Sequence, residues 1–178
     1  MANDIVNFPV NRLNCILDML IEEMRNLTNE NRDQSIEWSI NHVYSCSQLA
    51  KLLAVKRGLD PEIAAIAGAI HDLAIIKTGK FENHGPAGDA YIRNLIHKYN
   101  ADFGNKFGLI ENEEIEIIVL ASVHHSEKTI FTDNGYIELI KDVDSLDRFL
   151  HGKDTYAHYE ERSTKALRDL NLNFSDFK

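Results

Sequence analysis

Apolar residues recur every three or four positions along most of the chain and hardly ever alternate. Between Asn11 and Leu27, the residues Leu13, Ile16, Leu17, Leu20, Ile21 and Met24 trace one helical stripe. A second helix is predicted from Ser35 to Arg57, closed by Gly58. Asp60 then reads as an N-cap with Pro61 at the first helical position, where its missing N–H costs nothing. That third helix runs to about Leu73, and its Ile63, Ile66 and Ile70 stand among Ala64, Ala65, Ala67, Gly68 and Ala69. Small residues on every side place it in the centre of the molecule. Lys77 to Pro86 holds two glycines and a proline and reads as a loop. Helices follow over Ala87–Tyr99, Glu111–His125, Tyr136–Leu150 and Thr155–Leu170, with Glu111, Glu113 and Glu114 suited to a helix N-terminus. They are separated by the stretch around Gly104 and Gly108 and by the turn signal Asp133-Asn134-Gly135. With no repeat, low-complexity tract or dividing linker, the expected fold is all-α: one domain over residues 1–178, a bundle of about seven helices.

Composition agrees and closes some doors. The 178 residues are 44% hydrophobic and 26% charged, enough for one soluble domain with a buried core. Only 9 Gly and 3 Pro interrupt them, which favours long helices. Lys+Arg number 19 against 28 Asp+Glu, a net charge of -9 and the wrong sign for binding extended nucleic acid. A small anion is not opposed, because a bound cation can dominate the field in one cleft. The Met1–Asn11 segment carries Asp4 and lacks the basic-then-apolar order of a signal peptide. Ile63–Ile76, the longest mainly apolar stretch, is 14 residues long and contains His71 and Asp72, too short and polar to span a bilayer. Cys15 and Cys46 alone make no disulfide framework. A cytoplasmic protein with no membrane partner is expected.

The chemistry rests with polar residues that break the apolar pattern, above all among 8 histidines. His71-Asp72 interrupts the most apolar stretch of the chain. A buried carboxylate without a partner costs several kcal/mol, so Asp72 either caps a helix, joins an ion pair or binds a cation. Consecutive helical side chains point about 100° apart, which lets both residues meet one cation beside a helix end. His42 shares a stripe with Cys46, Leu49 and Leu53; the His42/Cys46 pair offers half a zinc site, but a Cys without further thiols behaves as a small buried hydrophobe. Asp144 lies in phase with Ile140 and Ile137, which makes it the inward carboxylate of its helix. Asp142 and Asp147 are expected on the solvated face or beside Lys141 and Arg148. Taken singly, His84 reads as a loop or helix-start residue and His124-His125 as partners of a helix C-terminus. His97, His151 and His158 are expected at the surface.

In order, His42, His71-Asp72 and Asp144 resemble the H…HD…D signature of the HD-domain superfamily of metal-dependent phosphohydrolases, over about residues 35–150. The segment Ala64 to Leu73 is similar to the small-residue helix that leads into HD, and Val143-Asp144-Ser145-Leu146 to the closing motif. Helices 11–27 and 155–170 would pack on that core. The resemblance implies His42, His71, Asp72 and Asp144 as metal ligands, with His84, His124 and His125 as candidates for a second metal. The cofactor would be one or two divalent ions (Mn, Mg, Fe, Co, Ni or Zn). It implies hydrolysis of a small phosphorylated, nucleotide-like substrate by a metal-activated water. His71, Asp72, His125 and His84 are the catalytic candidates; Lys77, Lys80 and Lys128 are candidates to hold phosphate. A two-iron oxygenase and a non-catalytic metal or nucleotide-binding module are the competing readings.

Overall fold

The computed structural model describes residues 11–153 and 156–177; Met1–Val10, where no signal peptide is expected, lie outside them. Among the described residues all regular structure is helical. The helices are α1 (Asn11–Arg25), α2 (Ile36–Arg57), α3 (Pro61–Ile70), α4 (Leu73–Thr78), α5 (His84–Phe107), α6 (Asn112–Val123), α7 (Gly135–Leu150) and α8 (Ala157–Asp169), with a final 3-10 turn at Phe174–Phe177. Local chemistry accounts for most boundaries. The Ser35 hydroxyl accepts from the Trp38 amide at the start of α2, and Gly58 closes it in the left-handed conformation at φ 67°. Asp60 accepts from the Glu62 and Ile63 amides at the start of α3.

Two boundaries differ from the sequence expectation. The third helix stops at Ile70, His71 and Asp72 form a turn, and the six-residue α4 carries the chain onward. Helix α5 starts at His84 rather than Ala87 and runs past Tyr99 to Phe107. Pro86 falls in its first turn, where a missing N–H is tolerated. Gly104 breaks nothing: it lies inside α5, beside the side chain of Leu109.

Helix α3 is buried from Glu62 to Ile70 and packs against α1, α2, α6 and α7. Its tightest approach is to α2, where a Cβ on Gly68 would lie 2.8 Å from the Cys46 carbonyl oxygen and 3.0 Å from Ala50 Cβ. A glycine recurs for the same reason at the start of α5, where a Cβ on Gly85 would lie 2.6 Å from the Val123 carbonyl oxygen. These two close approaches set His42 beside His71 and His84 beside His125.

Helix α7 is buried continuously from Ile137 to Asp147, enclosed by α2, α6 and α8. Asp142 is therefore not on a solvated face. It is fully buried and bound by Arg57 Nη2 at 2.7 Å, Arg162 Nη1 at 3.0 Å and Lys165 Nζ at 2.9 Å. Arg162, 1% exposed, also donates to Glu138 and to the carbonyls of Lys128 and Ile130. This network ties α8 to α7 and pins the segment after α6. Among the described residues no helix is long and apolar enough to cross a membrane.

Candidate metal centre

Six donors converge from five places in the chain. His42 comes from the middle of α2, His71 and Asp72 from the turn after α3, His84 from the first residue of α5, His125 from just beyond α6, and Asp144 from α7. His42 Nε2 lies 3.1 Å from His71 Nε2, 3.5 Å from Asp72 Oδ2 and 3.4 Å from Asp144 Oδ1. On the other side of Asp72, Oδ1 lies 3.2 Å from His125 Nε2 and 3.5 Å from His84 Nε2, and those two nitrogens are 3.1 Å apart. Asp72 thus stands between two groups of donors. His71, with Nε2 3.8 Å from Asp72 Oδ1, joins them.

The outward side of each ring is fixed. His71 Nδ1 donates to the Gly68 carbonyl at 2.8 Å, His125 Nδ1 to the Ser122 carbonyl at 2.5 Å, and His84 Nδ1 to the Phe81 carbonyl at 2.7 Å. His42 Nδ1 faces Asp147 Oδ2 at 2.5 Å, and Asp147 also accepts from the Ser45 hydroxyl. A carbonyl can only accept, so the proton sits on Nδ1 and every neutral ring turns a bare Nε2 lone pair inward. Lone pairs facing carboxylate oxygens at these distances repel unless a cation lies between them.

Electrostatics say the same. Burial depresses His71 to about 4, which leaves it neutral at pH 7. For His42 burial opposes charge, yet the surrounding acidic groups, Asp144, Asp147 and Asp72 among them, hold its pKa well above the ordinary value. The site demands positive charge there. Burial also penalises ionised Asp144, but Lys128, its Nζ 2.6 Å from Oδ2, keeps the carboxyl well below the usual range. Asp72 is held low against burial by the imidazoles around it. Its Oδ1 is buried with no hydrogen-bond partner. Burial pushes the Cys46 thiol to about 12, so it stays protonated in the metal-free protein. The donor set is imidazole and carboxylate, suited to a first-row divalent ion.

A protein-family model, HD domain, matches residues 39–169. The chain belongs to the HD-domain family. Searches of curated proteins and of solved structures return no match. The matched span of the HD domain runs from α2 through α8 and contains all six donors. The superfamily is one of metal-dependent phosphohydrolases, and this HD domain carries a buried His/Asp cluster that could hold the metal.

The structure brings together His42, His71, Asp72, His84, His125 and Asp144, and leaves out His124, which is half-buried and paired with Glu127 at 3.1 Å. Of the three candidate phosphate lysines, Lys77 pairs with Glu23 and Lys80 with Asp33, both away from the cluster. Lys128 is at the centre but is buried, bound to Asp144 and to the Lys141 carbonyl. Asp147 departs from the expected solvated position: it is fully buried and orients His42. His151 is exposed, as expected, and from the surface its ring reaches Asp147 Oδ1 at 3.2 Å and meets Trp38 edge-on at 5.1 Å. His97 is exposed, and His158 is half-buried beside the Tyr156 and Tyr159 rings. Sequence reasoning missed Asp147, Arg148 and Tyr159. The signal for the first two was spacing, because positions three and four beyond Asp144 share its helix face.

Proposed function

We propose that this HD domain is a metal-dependent phosphohydrolase acting on a small, nucleotide-like phosphorylated substrate, with a centre able to hold two divalent ions. The observation that carries this reading is the convergence of four bare imidazole nitrogens on Asp72 and Asp144 at the floor of a cavity of about 250 Å³. Asp72 Oδ1 between the two groups of donors supports two ions rather than one. His42, His71, Asp72 and Asp144 would hold the first, and Asp72, His84 and His125 the second. A bound divalent cation supplies a Lewis acid for a phosphoryl oxygen and lowers the pKa of water towards neutrality.

The chain's own residues do the rest. His84 and His125 line the cavity, and their Nδ1 protons are committed to carbonyls, so Nε2 is the one acceptor on each ring: with the first site alone filled it can take a proton from the attacking water, and with the second filled it is a ligand instead. Lys128 neutralises Asp144 without entering the cavity. An adjoining cavity of about 220 Å³, reached past Gln34, Phe81 and Arg148, is bordered by Trp38 and Lys153. Asp33 also lines this cavity, its charge met by Lys80, and the aromatic and cationic groups beside it suit a planar organic group carrying further negative charge, which supports a nucleotide-like substrate.

The test is elemental analysis of the purified protein with a panel of nucleotides and other phosphoesters under Mn, Mg, Co and Fe. Release of phosphate or of a nucleoside by the loaded protein, and its loss in His71→Ala and Asp72→Ala with helical circular dichroism retained, is the expected result. Full metal occupancy in both variants sinks the site. Two irons per chain with oxygen consumption and no phosphoester turnover would favour the oxygenase reading, and metal binding without any turnover the non-catalytic one.

A further inference from the structure

A phosphohydrolase must grip its substrate's negative charge, and the lysines near this centre are otherwise engaged. Lys77, Lys80 and Lys128 each have a carboxylate partner, and Lys153 Nζ lies 4.3 Å from the Trp38 ring centroid. Arg148 is placed differently. It lies one helical turn beyond Asp144 on α7, so both side chains leave the same face. Its guanidinium carbon is 5.4 Å from the Tyr159 ring centroid, and its Nε is buried without a hydrogen-bond partner. Among the described residues no carboxylate lies within ion-pair distance of it. Apart from the histidines, it is the one cationic side chain among the described residues lining the cavity that holds Asp72, His84, His125 and Asp144.

An unpaired N–H on a guanidinium is unusual, because burial removes water without providing an acceptor. Stacking on Tyr159 restricts the side chain in advance, so little rotamer freedom remains to be lost on binding. A planar fork of donors matches two oxygens of a phosphoryl group.

Resting on the phosphohydrolase reading, we propose that Arg148, braced against Tyr159, receives the phosphoryl oxygens of the substrate at the open side of the metal centre. It supplies the anion grip that the sequence had assigned to lysines. The same placement adds a fixed positive group to the bound cations in a protein of net charge -9, since a guanidinium without a carboxylate partner lines the cavity.

The experiment titrates inorganic phosphate into the metal-loaded protein by calorimetry, for wild type, Arg148→Gln and Arg148→Lys. Metal content and melting temperature are measured on the same samples. Arg148→Gln is expected to keep its metal and its melting temperature and to weaken phosphate binding on the order of 10- to 100-fold, the range for losing a charge-assisted hydrogen bond. Arg148→Lys, which keeps the charge but loses the fork and is the variant to read should the glutamine variant fold poorly, is expected to recover part of the affinity. For any ester the wild type hydrolyses, kcat/KM should fall in the same order. Unchanged phosphate affinity in both variants, beside a wild type that binds, overturns the role of Arg148 alone. A wild type that binds no phosphate and turns over no phosphoester overturns the phosphohydrolase reading, and this inference with it.

Discussion

Asp147 determines which nitrogen of His42 is available. With Nδ1 donating to this carboxylate, Nε2 faces His71, Asp72 and Asp144. Partners of this kind set both the orientation and the basicity of a ligand. Asp147→Asn is expected to weaken metal binding by about 10- to 100-fold while leaving the fold intact, as competition with a chelating dye would measure; unchanged affinity would assign Asp147 to packing alone. At this scale much of the site was legible in the sequence. His42, His71-Asp72 and Asp144 stand out because each is polar where the pattern demands an apolar residue, and the helical phase distinguishes Asp144 from Asp142. Asp147 was not legible, because an acidic residue near Arg148 and His151 is ordinarily solvated. What buries it is tertiary: α2 lies against that face of α7 and offers Ser45 and His42 as partners. The choice between His124 and His125 was also open until the turn after α6 was seen, since a helix end does not continue the phase of the helix.

At the scale of elements, α7 shows how periodicity misleads. Asp142, assigned to the outward face, is enclosed by α8 and serves as the hub where Arg57, Arg162 and Lys165 meet. Removing the charge of one member of a buried ionic network leaves its partners uncompensated and costs about 3–5 kcal/mol. Asp142→Asn should therefore lower the urea midpoint strongly, while the folded fraction retains its metal. Asp144→Asn should lose metal, and it too should lower the midpoint, because it leaves the buried Lys128 ammonium without its carboxylate. Equal metal loss in both would mean that the network also shapes the centre, through the Lys128 segment held by Arg162. Helix starts were legible where a side chain caps them, as at Ser35 and Asp60. The start of α5 was not, because His84-Gly85-Pro86 has the composition of a loop. Its glycine is needed for the approach to Val123 and its proline is harmless in a first turn.

For the whole molecule, the titration of His71 links pH to stability. Its pKa falls from 6.5 to about 4 on folding, so between those values the unfolded chain binds a proton that the folded chain refuses. The metal-free protein should lose stability as pH falls through that window, on the order of 3 kcal/mol from this group alone. His42, raised on folding, contributes fully below 6.5, and Asp72 and Asp144, depressed on folding, begin to lose their contribution only below 3.8. Urea melts of the metal-free protein from pH 7 to pH 4 check this, with His71→Gln expected to flatten the profile. A wild-type profile as flat as that of the variant would show His71 titrating normally in the fold.

Trp38 stacks on His42 with ring centroids 5.6 Å apart and planes 21° from parallel, and it is the chain's single tryptophan. The molecule therefore carries its own optical probe, stacked on a proposed metal ligand and on the border of the adjoining cavity. Indole emission responds to the charge of a stacked imidazole, so adding a divalent cation to the metal-free protein should change fluorescence without any label. The change should vanish in His42→Ala. Loading of the centre can then be followed in real time, with excitation beyond the tyrosine band so that only this one ring is seen.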